Sequence, residues 1–151
     1  MYFMLQKLMF SPLNTSDATV LKQGRFNIYL ASVYLSFNSL TLYPTSELMK
    51  LVEEAQRKNK KIVIGCDANS HHVAWDSTNT NRRGQALIDF LNTKDFITLN
   101  IGNKSTFVNR IREEVFDITI CSEELINEIQ DWRVSDEHFF SDLRYGTVHL
   151  I

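Results

Sequence analysis

The spacing of apolar positions along the chain predicts alternating strands and helices. Residues 62–64 are an apolar run followed by Gly65 and Cys66, which is typical of a short strand buried on both faces. Residues 25–35 are dense in β-branched and aromatic side chains and predict a long buried strand. Between them, after Pro44, Thr45 or Ser46 can cap a helix with one apolar face. This order predicts a right-handed crossover between parallel strands that are adjacent or separated by one strand.

The second half of the chain repeats the alternation. A helix should begin at residues 81–84 and bury Leu87, Ile88 and Leu91, and Ser122 should cap a short helix over residues 123–129. The remaining apolar and alternating stretches predict strands at 96–100, 105–108, 115–120, 132–134 and 144–151. Residues 1–24 show no clear period. The sequence therefore predicts an α/β domain over residues 25–151 after an irregular segment at 1–24.

Composition narrows the class of protein. With 151 residues, of which 44% are hydrophobic, the chain can form one globular domain. A net charge of −2 gives no global attraction to nucleic acid, so any basic contact surface must be local. Cys66 and Cys121 are expected to be small core residues in an intracellular protein, not a disulfide framework. The apolar opening is short and interrupted by Lys7, which argues against secretion and against a membrane span.

An acid and an amide lie at the predicted end of the buried strand. Asp67 and Asn69 are alternate residues, whose side chains can meet one ligand at a strand tip. A carboxylate can bind a hard cation or accept a proton, and an amide can donate to a phosphoryl oxygen. This pair favours metal-assisted phosphate chemistry. The structural alternative is an Asx turn at the end of the strand.

Two further residues have both a structural and a functional interpretation. Asp117 falls in the middle of a predicted strand, where an unpaired charge is costly, so it needs a partner such as Arg110 or Arg112. Tyr34 lies near the end of the predicted strand over residues 25–35 and can be a core aromatic with a locally bonded hydroxyl. Both residues can equally belong to a catalytic or substrate-binding site.

A zinc site is disfavoured. Cys66, His71, His72 and Asp76 are close in sequence, but adjacent histidines point apart on an extended chain. The sequence also lacks a second cysteine pair and a suitably spaced pair of histidines. The two histidines are expected to be loop residues near a site.

Four motifs occur in a specific order: Tyr34; Asp67-x-Asn69; Thr106 with Asp117-x-Thr119; and Trp132-Arg133-Val134 before Ser141-Asp142. Together they resemble the endonuclease/exonuclease/phosphatase superfamily, and most closely the apurinic-like endonuclease domain of non-LTR retrotransposons. The phrases HHVAWDSTNTNRRGQALIDFLN and FDITICS are similar to that branch in particular. The resemblance covers residues 25–145, and its specificity lies in the combination.

The resemblance implies a four-layer α/β sandwich of the DNase I-like type that cleaves DNA with Mg²⁺, or with Mn²⁺ as an alternative. In that scheme Asp67 activates or positions the attacking water, Asn69 holds the phosphate and Tyr34 contacts the scissile phosphate. Asp117 orients a histidine, and Asp142 binds the metal or the phosphate. Further substrate-binding residues implied by the resemblance are Thr106, Ser141 and His71. The parent protein would carry a reverse transcriptase and act in the nucleus.

Two departures from the family pattern reduce the expected activity. Leu143 follows Ser141-Asp142 where the family has a histidine, and leucine cannot carry a proton. Residues 1–24 do not resemble the first family strands, which supply an asparagine and a metal-binding glutamate, so the fold is expected to be incomplete at its N-terminus. The sequence therefore predicts an impaired endonuclease. The alternatives are an inactive remnant that binds nucleic acid or protein, and, less favoured, a phosphatase of the same superfamily.

Overall fold

The structure is a computed structural model that describes residues 2–4, 21–22, 28–37, 43–100, 102, 104–108, 110–111, 113–134 and 146–151. The strands are β1 (Tyr2–Met4), β2 (Leu21–Lys22), β3 (Ile28–Tyr34), β4 (Lys61–Asp67), β5 (Phe96–Thr98), β6 (Phe107–Val108), β7 (Glu113–Glu114), β8 (Asp117–Ser122), β9 (Ile129–Val134) and β10 (Gly146–Leu150). The α-helices are α1 (Ser46–Arg57) and α2 (Arg82–Thr93), and two 3₁₀ turns cover Val73–Trp75 and Glu123–Glu128.

Five strands form the central sheet, in the order β2-β3-β4-β8-β5. β3 and β4 are parallel neighbours joined through α1, which confirms the predicted crossover arrangement in its adjacent form. The other pairs in this sheet are antiparallel. A second sheet, β1-β10-β9, is antiparallel throughout, and β6 pairs with β7 in a separate two-stranded ribbon.

One side of the central sheet packs against both α-helices. Its core combines alternate residues of β3, β4 and β8 with the apolar faces of the helices: Ala31, Val33, Ile62, Ile64, Ile118 and Ile120 with Leu48, Val52, Ala55, Leu87, Phe90 and Leu91. The helices bury Leu48, Val52, Ala55, Leu87 and Leu91, as the i, i+3, i+4 spacing predicts. Ile88 is only partly buried, whereas Phe90 on the same helix is buried. This burial supplies the main hydrophobic stabilisation of the domain.

The opposite side of the central sheet packs against the second sheet. This core contains Ile28, Leu30, Val63, Cys121, Leu125, Val148 and Leu150. The described residues therefore form three successive layers: helices, central sheet and second sheet. The α/β class is confirmed, and a further helical layer is not among the residues that the structure describes.

The predicted helix caps are confirmed at two places and wrong at a third. Thr45 caps α1, where its Oγ1 accepts from the Leu48 N–H at 3.3 Å, and Asn81 caps α2 through an Oδ1 that accepts from Gly84 N–H at 2.8 Å. Ser122 makes no side-chain cap, because its Oγ instead accepts from Ile62 N–H at 3.0 Å. The following segment is a 3₁₀ turn.

Residues 1–24 contain β1, which pairs with β10, and β2, which pairs with β3, so the expectation of little regular structure is wrong at these two places. The division of the chain at residue 24 stays a prediction.

Cys66 and Cys121 are buried thiols without a disulfide, as expected. Among the described helices, neither is long and apolar enough to cross a bilayer.

Candidate active site

Three rows of residues cross the side of the central sheet that faces the second sheet. Strand register aligns them on β3, β4 and β8 as Leu30–Val63–Cys121, then Ser32–Gly65–Thr119, then Tyr34–Asp67–Asp117. Aligned residues on neighbouring strands project to the same face of a sheet. This face therefore changes from apolar, through small and hydroxyl-bearing, to acidic within four residues of strand.

The last row, Tyr34–Asp67–Asp117, is called the acidic row below. It joins three of the predicted site residues, and its two carboxylates are directly opposite each other across β4 and β8. Both carboxylates affect the nearby Cys66 thiol. Burial is the main cause that raises the pKa of this thiol well above its usual range, and the negative charges of Asp67 and Asp117 raise it further. Like charges opposite each other are unfavourable unless positive charge or hydrogen-bond donors offset them.

The oxygen donors of the acidic row are chemically suited to binding a hard divalent cation. Carboxylate oxygens are the protein ligands that Mg²⁺ binds, usually one or two of them together with water and substrate phosphates. Across the described ranges, no group of three or more His, Cys, Asp or Glu side chains is placed to hold a metal ion. The described part of the site therefore offers two carboxylates, and further ligands must come from solvent, from substrate or from the rest of the chain.

Asn69 lies just beyond the acidic row. β4 ends at Asp67, so strand alternation does not set the direction of the Asn69 side chain. Its φ of 44° is in the left-handed region, which asparagine tolerates better than most residues. Nδ2 donates to the carbonyl oxygen of Leu35 at 3.0 Å, immediately after Tyr34. The amide is thus fixed at the end of β3, and its second hydrogen can donate to a phosphoryl oxygen.

Thr106 and Asn100 hold the start of β8 in place. The fully buried Thr106 accepts from Phe116 N–H and from Asp117 N–H, both at 3.0 Å. Asn100 donates to the Asp117 carbonyl at 3.1 Å and accepts from Thr119 N–H at 2.8 Å. Thr106 therefore shapes the site through the backbone, and a direct substrate contact by it stays a prediction. Asn100 was not predicted, because an asparagine after a short strand has no distinctive spacing.

His71 and Glu114 connect the loop after Asn69 to the approach of β8. Glu114 is 7% exposed and accepts from Thr78 Oγ1 at 2.9 Å and from its neighbour Val115 N–H at 3.1 Å. His71 Nδ1 is 3.6 Å from Glu114 Oε2, and its ring meets the Phe116 ring edge-on at 5.5 Å. The loop position of His71 is confirmed, and its contact with substrate stays a prediction. Glu114 was not predicted as a site residue, because the pair Glu113-Glu114 has no distinctive sequence pattern.

Gly146 of the second sheet lies close to the middle of the three rows, Ser32–Gly65–Thr119. A Cβ on Gly146 would lie 3.0 Å from Thr119 Oγ1 and 3.3 Å from Trp132 Nε1, so this close approach favours glycine. Gly146 opens β10, and Asp142 precedes it by four residues. Ser141, Asp142 and Leu143 lie outside the described residues, as does Arg112, one of the two proposed ion-pair partners of Asp117.

Comparison with known sequences and structures assigns the family. A profile described as endonuclease-reverse transcriptase matches residues 28–145, which contain every candidate site residue. The chain belongs to this family. A search of curated proteins finds no match.

One solved structure supports the endonuclease-reverse transcriptase assignment, and a second shares the fold. The endonuclease domain of TRAS1, a telomere-specific non-LTR retrotransposon, is similar with 27% identity and a TM-score of 0.69, over 82% of this chain and 55% of that one. A 3′-5′ exonuclease from Neisseria meningitidis shares the fold with 14% identity and a TM-score of 0.58, over 82% and 61%. The DNase I-like fold class is confirmed. This chain spans little more than half the length of these structures.

Proposed function

We propose that the chain is a divalent-cation-dependent endonuclease domain that nicks DNA and derives from a non-LTR retrotransposon. The single observation that carries the proposal is the acidic row, which aligns Tyr34, Asp67 and Asp117 at one end of the sheet. The similarity to the TRAS1 endonuclease domain supports DNA as the substrate. Mg²⁺ is the preferred ion in the proposal and Mn²⁺ the alternative. A parent linked to a reverse transcriptase and a nuclear place of action belong to the same proposal.

Each described side chain has a task in this scheme. Asp67 accepts the proton of the attacking water, and the Tyr34 hydroxyl donates to a phosphoryl oxygen. The second hydrogen of Asn69 Nδ2 donates to another phosphoryl oxygen, because the first is held by Leu35. Asp117 orients the imidazole that the family pattern has at position 143. Asp142, outside the described residues, offers an oxygen ligand for the cation, and the negative charges of Asp67 and Asp117 attract it. When bound, the cation would neutralise charge that develops on the phosphoryl group.

Nicking of supercoiled plasmid in Mg²⁺ tests the proposal. Wild-type protein should convert supercoiled to open-circular DNA, and EDTA should stop the conversion. Asp67→Ala should lower the rate about 10²-fold or more, since it removes an acid/base group. Asp89→Ala is the matched control, because Asp89 is an exposed carboxylate on α2. Nicking by Asp67→Ala at the wild-type rate would overturn the assignment.

Leu143 favours a second candidate, in which the chain is a catalytically inactive remnant that binds nucleic acid or protein. If the endonuclease proposal holds, Leu143→His should raise nicking, because a restored imidazole typically contributes about 10²- to 10⁴-fold. Unchanged nicking by Leu143→His would count against the proposed geometry around Asp117. DNA binding without nicking by either protein would establish the second candidate.

A further inference from the structure

The segment immediately after β3, residues 35–37, is fixed although it belongs to no strand or helix. The Leu35 carbonyl accepts from the Tyr43 hydroxyl at 3.1 Å and from Asn69 Nδ2 at 3.0 Å. The Leu35 N–H donates to the carbonyl of Asp67 at 2.9 Å. Burial is the main cause that raises the Tyr43 pKa above its usual value, so this hydroxyl keeps its proton at neutral pH.

Arg83 of α2 holds the rest of the segment. Its Nη1 donates to the Phe37 carbonyl at 2.7 Å, and its Nη2 donates to the Ser36 carbonyl at 2.6 Å. Nη2 also contacts the Tyr43 hydroxyl, and the guanidinium carbon lies 4.2 Å from the centre of the Tyr43 ring. A guanidinium is rigid and planar, so it holds two successive carbonyls in one fixed geometry, whereas the rotatable donors of an ammonium on a flexible stem fix them less well.

The side chain at the end of this fixed segment is nevertheless in solvent. Phe37 is 71% exposed, and Tyr34, which immediately precedes the segment, is 47% exposed. Phenylalanine is usually buried, because its ring has no polar atom that gains from water. A rigid backbone that presents an exposed ring lowers the entropy cost of binding a flat partner.

The exposed ring lies close to the proposed phosphate site. Phe37 is three residues beyond Tyr34, so their Cα atoms are at most about 11 Å apart. Each nucleotide of one strand advances about 3.4 Å along a duplex, so this distance covers about three nucleotides. Asn69, the proposed phosphate ligand, bonds to the same segment as Phe37. A substrate strand bound at the acidic row therefore passes within about three nucleotides of Phe37.

We propose that Phe37 stacks on an unstacked nucleobase within about three nucleotides of the scissile phosphate, and that Arg83 is the positioning residue that fixes its backbone. The inference deepens the proposed function and rests on it. A phenyl ring offers no hydrogen bond to a base edge, so the contact adds affinity without reading sequence. It should favour duplexes in which a mismatch or bulge has already disturbed stacking, because less energy is then needed to expose the base.

Binding of a labelled mismatched duplex, followed by fluorescence anisotropy in EDTA, tests the inference without cleavage. Phe37→Ala should weaken binding about 5- to 150-fold, the range for loss of one stacked base. Phe37→Trp should restore binding. Met49→Ala is the matched control, because Met49 is a partly exposed apolar side chain on α1. Thermal unfolding of each variant confirms that it is folded.

Salt dependence separates stacking from phosphate contact. Phe37→Ala should leave the slope of log K against log salt unchanged, whereas loss of a phosphate contact lowers that slope by about one unit. Arg83→Lys keeps the charge but loses the paired guanidinium donors that hold the Ser36 and Phe37 carbonyls. It should therefore weaken binding with little change of slope. Wild-type binding by Arg83→Lys would overturn the positioning role.

The outcomes also distinguish this inference from the proposed function. If Phe37→Ala binds like wild type while Asp67→Ala no longer nicks, the stacking contact is wrong and the endonuclease proposal stands. If wild-type protein neither binds nor nicks DNA, both fall. Weakened binding by Phe37→Ala with rescue by Phe37→Trp supports the contact even where nicking is slow.

Discussion

The two faces of the central sheet are built from the same strands but have different compositions. On the helix-facing side, buried side chains such as Ile64 and Ile120 are apolar along the whole strand. On the side facing the second sheet, the rows change from Leu30–Val63–Cys121 to Tyr34–Asp67–Asp117. This change takes four residues, or about 13 Å of strand.

The difference shows how a small domain can combine stability with chemistry. Successive residues of a strand point to opposite faces, so each face can be composed independently. The helix-facing side buries its residues against α1 and α2 and carries most of the packing energy. The other side keeps an apolar half against the second sheet and leaves its last row for polar groups. Substitutions on the two faces should therefore have separable effects on unfolding and on activity.

The largest stability effect is expected from Ile120→Ala, on the helix-facing side. Ile120 is fully buried, so its truncation removes transfer energy and leaves a cavity, at a cost of about 2–5 kcal/mol. Ile126→Ala is the control, because Ile126 is 46% exposed and should change stability by about 0.5 kcal/mol or less. Urea unfolding measures both. Equal costs for the two variants would contradict the assignment of the main core.

Glu114→Ala should destabilise the protein by about 1–3 kcal/mol, because it leaves the Val115 N–H and the Thr78 hydroxyl without their carboxylate partner. Glu113→Ala is the neighbouring control at an exposed position, where Glu113 accepts only a 3.5 Å hydrogen bond from Ser105 among the described contacts. Urea unfolding again gives the comparison. A larger cost at Glu113 than at Glu114 would show that the loop after Asn69 is held elsewhere.

Mg²⁺ should stabilise the wild type through the acidic row. At about ten times its Kd, a ligand that binds only the folded state adds about 1.4 kcal/mol. Asp117→Asn should reduce this gain, because one of the two facing carboxylates loses its charge. Asp89→Asn should keep it, since Asp89 lies on α2. Thermal unfolding with Mg²⁺ or EDTA is the measurement, and an equal gain in the wild type and Asp117→Asn would contradict a cation at this row.

The smallest predicted effect concerns the thiols, one on each face. Burial raises the pKa of Cys121 to about 12, whereas an unfolded cysteine has a pKa of about 8.5. The unfolded state therefore loses its proton first as the pH rises, and stability falls above about pH 8.5. Between about pH 7.5 and 9.5 the wild type should lose about 1 kcal/mol more than Cys121→Ala.

Cys66→Ala, on the helix-facing side, should behave like Cys121→Ala, because burial also raises the Cys66 pKa. Urea unfolding at the two pH values tests both variants. A pH dependence carried by only one thiol would show that water reaches the other in the folded state.

Much of the fold was predictable because its signals are local. The apolar run at 62–64 marks β4, observed as Lys61–Asp67, and the helical spacing around Leu48 marks α1. Asn81 identifies the start of α2, since an N-cap side chain bonds within its own turn. Ser122 carried the same cap signal but bonds to Ile62, a residue of a neighbouring strand. A cap signal is therefore reliable only when no partner from another element competes for the side chain.

The sequence by itself determined which residues alternate on each strand, where the helices start and which motifs resemble a nuclease. Only the tertiary structure decided that Asp67 faces Asp117, since the register between β4 and β8 joins residues 50 positions apart. It also decided the contacts of Asn100, Glu114 and Arg83, none of which has a distinctive spacing. Periodicity encodes the face on which a side chain lies, whereas its partner on that face depends on how distant strands and helices pack.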